Sequence, residues 1–128
     1  MHEPNDFLDD LARKVIGAAI EVYKQLGPGF LEQMYSKALS VELAERGIEH
    51  KVESPVALND KGHLVGEGRL DLLIENKLIV ELKAVEKLHP IHHAQVISYL
   101  KATHLHLGLL INFNVSVLKE GLQRIILS

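Results

Sequence analysis

The stretch GRLDLLIENKLIVELKA, residues 68–84, decides how this chain folds. Two apolar runs, 70–74 and 78–82, flank the polar triplet Glu75, Asn76 and Lys77, the pattern of two strands joined by a tight loop. Pairing Ile74 with Leu78 across that loop places Leu70, Leu72, Ile74, Leu78, Val80 and Leu82 on one wholly apolar face. The opposite face then carries Arg69, Asp71, Leu73, Ile79, Glu81 and Lys83. A slip of one residue would mix charge into both faces and leave no clean core side.

In this register Asp71 stands across from Glu81, with the Cβ atoms of such a pair about 5 Å apart. Two carboxylates that close repel each other at neutral pH unless a cation or a shared proton lies between them. A hard divalent ion, Mg²⁺ or Mn²⁺, is the simplest resolution, because such ions are held by one or two carboxylates with waters and phosphate oxygens completing the shell. Lys83, two residues beyond Glu81 on the same face, can orient or help deprotonate a water, or stabilise charge developing on a phosphate. The ordinary alternative for an acid and a lysine on a strand is a solvated face.

Asp71 followed by Glu81-Leu82-Lys83 resembles the signature of the PD-(D/E)xK nuclease superfamily, with Leu70 where the superfamily name has proline. Upstream, Gly29, Glu32 and Tyr35 in LGPGFLEQMY match the motif of the GxxExxY proteins, a prokaryotic branch of that superfamily. Downstream, Gln95 and Tyr99 match the QxxxY element of the branch resembling RecB-type nucleases. The resemblance implies a restriction-endonuclease-like α/β fold, an αβββαβ core with an extra N-terminal helix and a mixed sheet flanked by helices. It also implies metal-dependent hydrolysis of phosphodiester bonds in nucleic acid, DNA ahead of RNA. Asp71, Glu81 and the Leu82 carbonyl would hold the ion, Lys83 would act on the water, and Gln95 would orient phosphate or Lys83.

Glu32 falls in the first turn of a helix, where an acid also favours the positive end of the macrodipole. It is a candidate further ligand or a partner for a metal-bound water. Tyr35, one turn on, is a packing residue or a phosphate contact, and Glu21 in the preceding helix is a rival acid on a solvated stripe. His92, Gln95 and Tyr99 share one face of a later helix at i, i+3 and i+7, while Ala94, Ile97 and Leu100 can serve the core. Arg69, His92 and Tyr99 are candidate substrate contacts.

Eight histidines invite a zinc reading, above all His89, His92 and His93. No cysteine exists to complete such a set, and His89 precedes Pro90, outside the expected helix. With Lys87, Lys101, His104 and His106 these histidines can instead form a mildly basic patch that strengthens below neutral pH.

The periodicity predicts a helix over 6–26 with a cap at Asn5 or Asp6, and a second over 30–46 that stops at Gly47. A strand follows over 48–58 with a break at Pro55, then a turn at 59–62 into the hairpin. A helix over 90–103, a strand over 107–113 and a short last strand around 123–127 complete the chain.

At 128 residues and 47% hydrophobic content, a single domain with a real core is expected. The absence of cysteine excludes disulfides and thiolate metal sites, and no apolar run is long enough for a membrane span or signal peptide, so a cytoplasmic location is expected. The formal charge of −3 is unusual for a domain that holds nucleic acid by counterion release alone. A metal would recover part of the attraction, and a protein partner or a second subunit in a homodimer could supply the rest. The same acidity suits a different role: a nuclease-fold accessory module, weak or inactive in catalysis, whose acidic surface meets a protein.

Overall fold

The structure, a computed structural model, describes residues 6–128; Asn5, one of the two expected caps, lies outside them. Helix α1 (Asp6–Leu26) buries Leu8, Leu11, Ala12, Val15, Ala18, Ala19 and Val22 at helical spacing. Its alanines let the backbone lie close to the surface beneath. Gly27, at φ 67°, ends it, with its N–H on the Tyr23 carbonyl at 2.7 Å. Helix α2 (Glu32–Glu45) stops at Gly47, φ 71°, where Gly47 N–H meets the Ala44 carbonyl and Ile48 N–H meets that of Leu43. These two bonds form a Schellman end, which needs a residue free to adopt the left-handed conformation.

Strands β1 (His50–Asp60), β2 (His63–Ile74) and β3 (Leu78–Lys83) form an antiparallel meander. The turn between β1 and β2 is Lys61-Gly62, both with positive φ, as a two-residue hairpin demands. Pro55 does not break β1, which pairs Pro55 with Arg69 and lies at the sheet edge, where a missing N–H costs nothing. The loop after β2 is the expected one: Ile74 pairs with Leu78, with Glu75 and Asn76 at positive φ between them.

Helix α3 (Pro90–Thr103) then crosses to β4 (Leu107–Asn112), parallel to β3, and β5 (Leu122–Ile126) returns antiparallel after a 3₁₀ turn (Leu118–Gly121). The order β1-β2-β3-β4-β5 gives a mixed five-stranded sheet. Two cores sandwich it. Leu72, Ile74, Leu78, Val80, Leu82, Leu107, Leu109 and Ile111 pack under α1 and α2, while Leu70, Ile79, Leu110 and Ile125 pack with Val96 and Leu100 of α3. Within α3 it is Val96, not Ala94, that serves the core beside Leu100, and Ala94 is exposed. Gly108 makes the close approach of α3 possible, since a Cβ there would stand 2.7 Å from Val96 Cγ1. The helix-flanked mixed sheet and its αβββαβ order are those expected of a restriction-endonuclease-like fold.

Leu70 departs from expectation. It lies against α3, not with Leu72 and Ile74, and the reason lies at Asp71.

Candidate active site

The β2–β3 ladder pairs Ile74 with Leu78, Leu73 with Ile79 and Leu72 with Val80, then stops. One step on, side chains take over from the backbone. Glu81 Oε2 accepts the Asp71 N–H at 2.7 Å, and Asp71 Oδ2 accepts the Leu82 N–H at 2.8 Å. On the other side the β1–β2 register passes from Val52–Leu72 to Ser54–Leu70 without pairing Glu53 to Asp71, and Glu53 sits at φ 48°. A residue in that left-handed region cannot carry an extended ladder. Asp71 thus occupies a break in both ladders, and β2 changes face there, which carries Leu70 to the α3 side. The carboxylates are not a ladder-opposed pair, as the simple register predicts. Glu81 is tied to the backbone of Asp71, and Asp71 to the backbone of Leu82, the residue after Glu81.

This arrangement puts charge where charge is costly. Glu81 is 3% exposed, and burial, together with the neighbouring Asp71 charge, pushes its carboxyl up to about 8. Asp71 is also raised, chiefly by burial, against the opposing pull of the Leu82 N–H and Lys83. Glu32 is raised by burial and by the charge of Asp71. Helix α2 therefore brings its first turn to the same acidic point.

Asp71 and Glu81 each spend one oxygen on a backbone N–H and keep one, Oδ1 and Oε1, without a protein partner. No side-chain nitrogen or oxygen among the described residues is both sealed from solvent and unpartnered, so these two oxygens remain reachable. Two hard oxygen donors, pre-oriented by backbone bonds and short of positive charge, suit a hard divalent cation. Among the described residues no three of His, Cys, Asp and Glu cluster tightly enough to cage an ion. The donor set therefore fits an ion that keeps several waters, with Glu32 close enough to feel Asp71 but outside a protein cage.

Lys83 is half-buried and its charge is felt by Asp71, Glu81 and Glu32. Its backbone is pinned by the Phe113 N–H, which donates to the Lys83 carbonyl at 2.9 Å. His92 faces Lys83 closely enough for that charge to hold its imidazole pKa down, after burial, and its Nδ1 accepts the His89 N–H at 3.0 Å. Gln95 Nε2 reaches the Tyr99 hydroxyl at 3.5 Å, and burial and the charges of Glu81 and Asp71 push the Tyr99 phenol up. The α3 face carrying His92, Gln95 and Tyr99 thus lies toward the carboxylates. Arg69 turns outward into an exposed ion pair with Glu53 at 2.9 Å.

Tyr35 is fully buried, stacked on Phe113 with ring centres 4.4 Å apart. Its hydroxyl donates to the Gly27 carbonyl at 2.6 Å and accepts the Phe30 N–H at 3.2 Å. Donor and acceptor are both spent on the α1–α2 loop. Tyr35 is a packing residue, not a phosphate contact. The rival acid Glu21 accepts a bond from Gln25 on an exposed helix face.

The zinc reading fails on geometry. His89 caps α3 from outside the helix, its ring lies 5.7 Å from that of His92, and among the described residues no third ligand joins them. Nor do the remaining basic residues gather: Lys101 and His104 line one surface hollow, Lys87 another, and His106 bonds the Leu127 carbonyl.

Two residues escaped sequence reasoning. Asn112, 2% exposed, accepts the Val85 and Asn114 N–H groups and donates to the Val85 carbonyl at 2.9 Å, clamping the segment just after Lys83. Its signal was a lone amide closing the apolar run LGLLIN. Gly68 carries the other: a Cβ there would stand 2.8 Å from the Tyr99 ring, so any side chain would push the ring from its place.

No curated protein and no solved structure matches the chain. The sequence model of the PD-(D/E)XK nuclease superfamily matches residues 9–125, a span that runs from α1 to β5 and includes every acid and lysine assembled at the ladder break. The chain belongs to the PD-(D/E)XK nuclease superfamily.

Proposed function

We propose that this protein is a nuclease of the GxxExxY branch that hydrolyses phosphodiester bonds with Mg²⁺ or Mn²⁺, DNA being the preferred substrate. The observation that carries this reading is the Asp71–Glu81 pair: two raised carboxylates, each fixed by a backbone N–H and each with one reachable oxygen. Asp71 Oδ1, Glu81 Oε1 and the Leu82 carbonyl would hold the ion, with Glu32 acting through a water. Such an ion supplies Lewis-acid polarisation of the phosphate and eases deprotonation of water. Lys83 would hold the attacking water and offset charge on the phosphate, in the partly buried setting where such stabilisation is strongest. Gln95 and Tyr99 would position phosphate, and His92 would donate from Nε2, because its Nδ1 is occupied as an acceptor. Arg69 is the outermost candidate contact.

The test is cleavage of labelled DNA and RNA with and without Mg²⁺ by the wild type, Lys83→Ala and Glu81→Ala. Metal-dependent cleavage that falls at least roughly 100-fold in both variants is expected. Cleavage undiminished in both would overturn the residue assignment. The net charge of −3 supports a second reading, an accessory module of the same fold that meets a protein partner. It predicts no cleavage of any nucleic acid and no thermal stabilisation by Mg²⁺ or Mn²⁺.

A further inference from the structure

A groove of about 520 Å³ runs between α2 and the edge strand β1, lined in part by Gln33, Met34, Ser36, Lys37, Val52 and Glu53. Two of its lining residues adjoin the carboxylate site in the chain or in the sheet register. Gln33 follows Glu32, whose carboxyl feels Asp71, and Glu53 is the residue that the register leaves beside Asp71, close enough for its charge to act there.

The groove's chemistry is mixed in a particular way. Met34 and Val52 are about half exposed, at 49% and 50%, and supply apolar surface. Gln33 and Ser36 offer hydrogen bonds to ring edges or sugar. Lys37 is the one cation among the residues lining the groove and makes no ion pair with the described residues, whereas the acid that also lines it, Glu53, is already paired with Arg69. An apolar wall, amide and hydroxyl edges and one free ammonium match a base, its polar rim and one phosphate. The volume takes about one or two nucleotides, and ligand sites of this class span roughly 300–1,000 Å³.

Duplex binding rests mainly on a field of cations that release counterions. A chain of net charge −3 does not provide one. Single-stranded segments also use cations along the backbone, but their unpaired bases gain further affinity from contacts inside a groove, which a stacked duplex does not. Resting on the nuclease reading above, we infer that the substrate is a single-stranded or unpaired segment of nucleic acid, and that the α2–β1 groove holds the nucleotide next to the scissile phosphate. Met34 and Val52 form the base wall and Lys37 the phosphate contact.

Fluorescence anisotropy with a labelled oligothymidylate and a blunt duplex of equal length tests this, with Ca²⁺ replacing Mg²⁺ to suppress cleavage. The single strand is expected to bind at least roughly tenfold tighter than the duplex. Met34→Glu and Lys37→Glu, both on an exposed helix face, are each expected to weaken it about tenfold with the thermal midpoint unchanged. Equal or tighter duplex binding, or single-strand affinity unaltered in both variants, overturns the inference. So does an absence of oligonucleotide binding, and self-association that Met34→Glu abolishes would then assign the groove to a second copy of the chain. The two readings fail separately. Cleavage of blunt duplex alone would keep the nuclease and discard the groove, whereas groove-dependent binding without hydrolysis in any divalent metal would keep the groove and discard the nuclease.

Discussion

Replacing Glu81 with glutamine should make the metal-free protein more stable, not less, above neutral pH. In the unfolded chain Glu81 ionises near 4.5, whereas in the folded protein its proton is held until about 8. Between those values the folded state binds more protons than the unfolded one, so stability is highest near the lower value and falls as pH rises through the window. At 1.36 kcal/mol per unit the full span corresponds to an upper limit of about 4 to 5 kcal/mol. Asp71, raised in the same direction, adds to the slope. Glutamine removes the ionisation yet keeps a carbonyl oxygen where Glu81 Oε2 now accepts the Asp71 N–H. Urea denaturation followed by far-UV circular dichroism, at about pH 5 and about pH 8.5, should show a wild type that loses several kcal/mol and a Glu81→Gln variant that loses much less. Adding Mg²⁺ at the higher pH should return stability to the wild type and not to the variant. A wild-type profile that is flat or rises with pH, or a variant less stable than wild type at the higher pH, would refute the reasoning.

Other residues make separable predictions. Asn112→Ala leaves the Val85 N–H and carbonyl without this partner in a partly buried setting and should cost about 1–3 kcal/mol in denaturant unfolding. Tyr35→Phe removes a hydroxyl that bridges Gly27 and Phe30, and should cost about 1–2 kcal/mol while leaving any nuclease activity unchanged, as an assay of cleavage rates would show. Gly68→Ala forces the Tyr99 ring aside and should cost about 1–3 kcal/mol, visible as a lowered thermal midpoint.

The architecture was readable because strand, loop and helix signals agreed along the chain. The 74–78 pairing, the stop at Gly47 and the Pro90 start are each set by local chemistry, so each matches the structure. The candidate site was only half readable. Asp71, Glu81 and Lys83 stood out as charges in an apolar setting, but periodicity assumes that a strand keeps its alternation. Glu53 in a left-handed conformation breaks it, and nothing in the local pattern KVESP reports that. Leu70 therefore changes face, and the carboxylates bond to backbone where a side-by-side pair was expected. Asn112 and Gly68 act through partners 27 and 31 positions away, contacts that only the folded sheet creates.

Whether Asp71 and Glu81 hold a metal ion is answered by a crystal of the protein soaked in Mn²⁺ and measured for anomalous scattering. One strong peak is expected about 2.0–2.2 Å from Asp71 Oδ1 and Glu81 Oε1, with waters filling most of its shell. A peak elsewhere, on the histidines for instance, or no peak at the ladder break in a crystal that binds Mn²⁺ at other points, would contradict it.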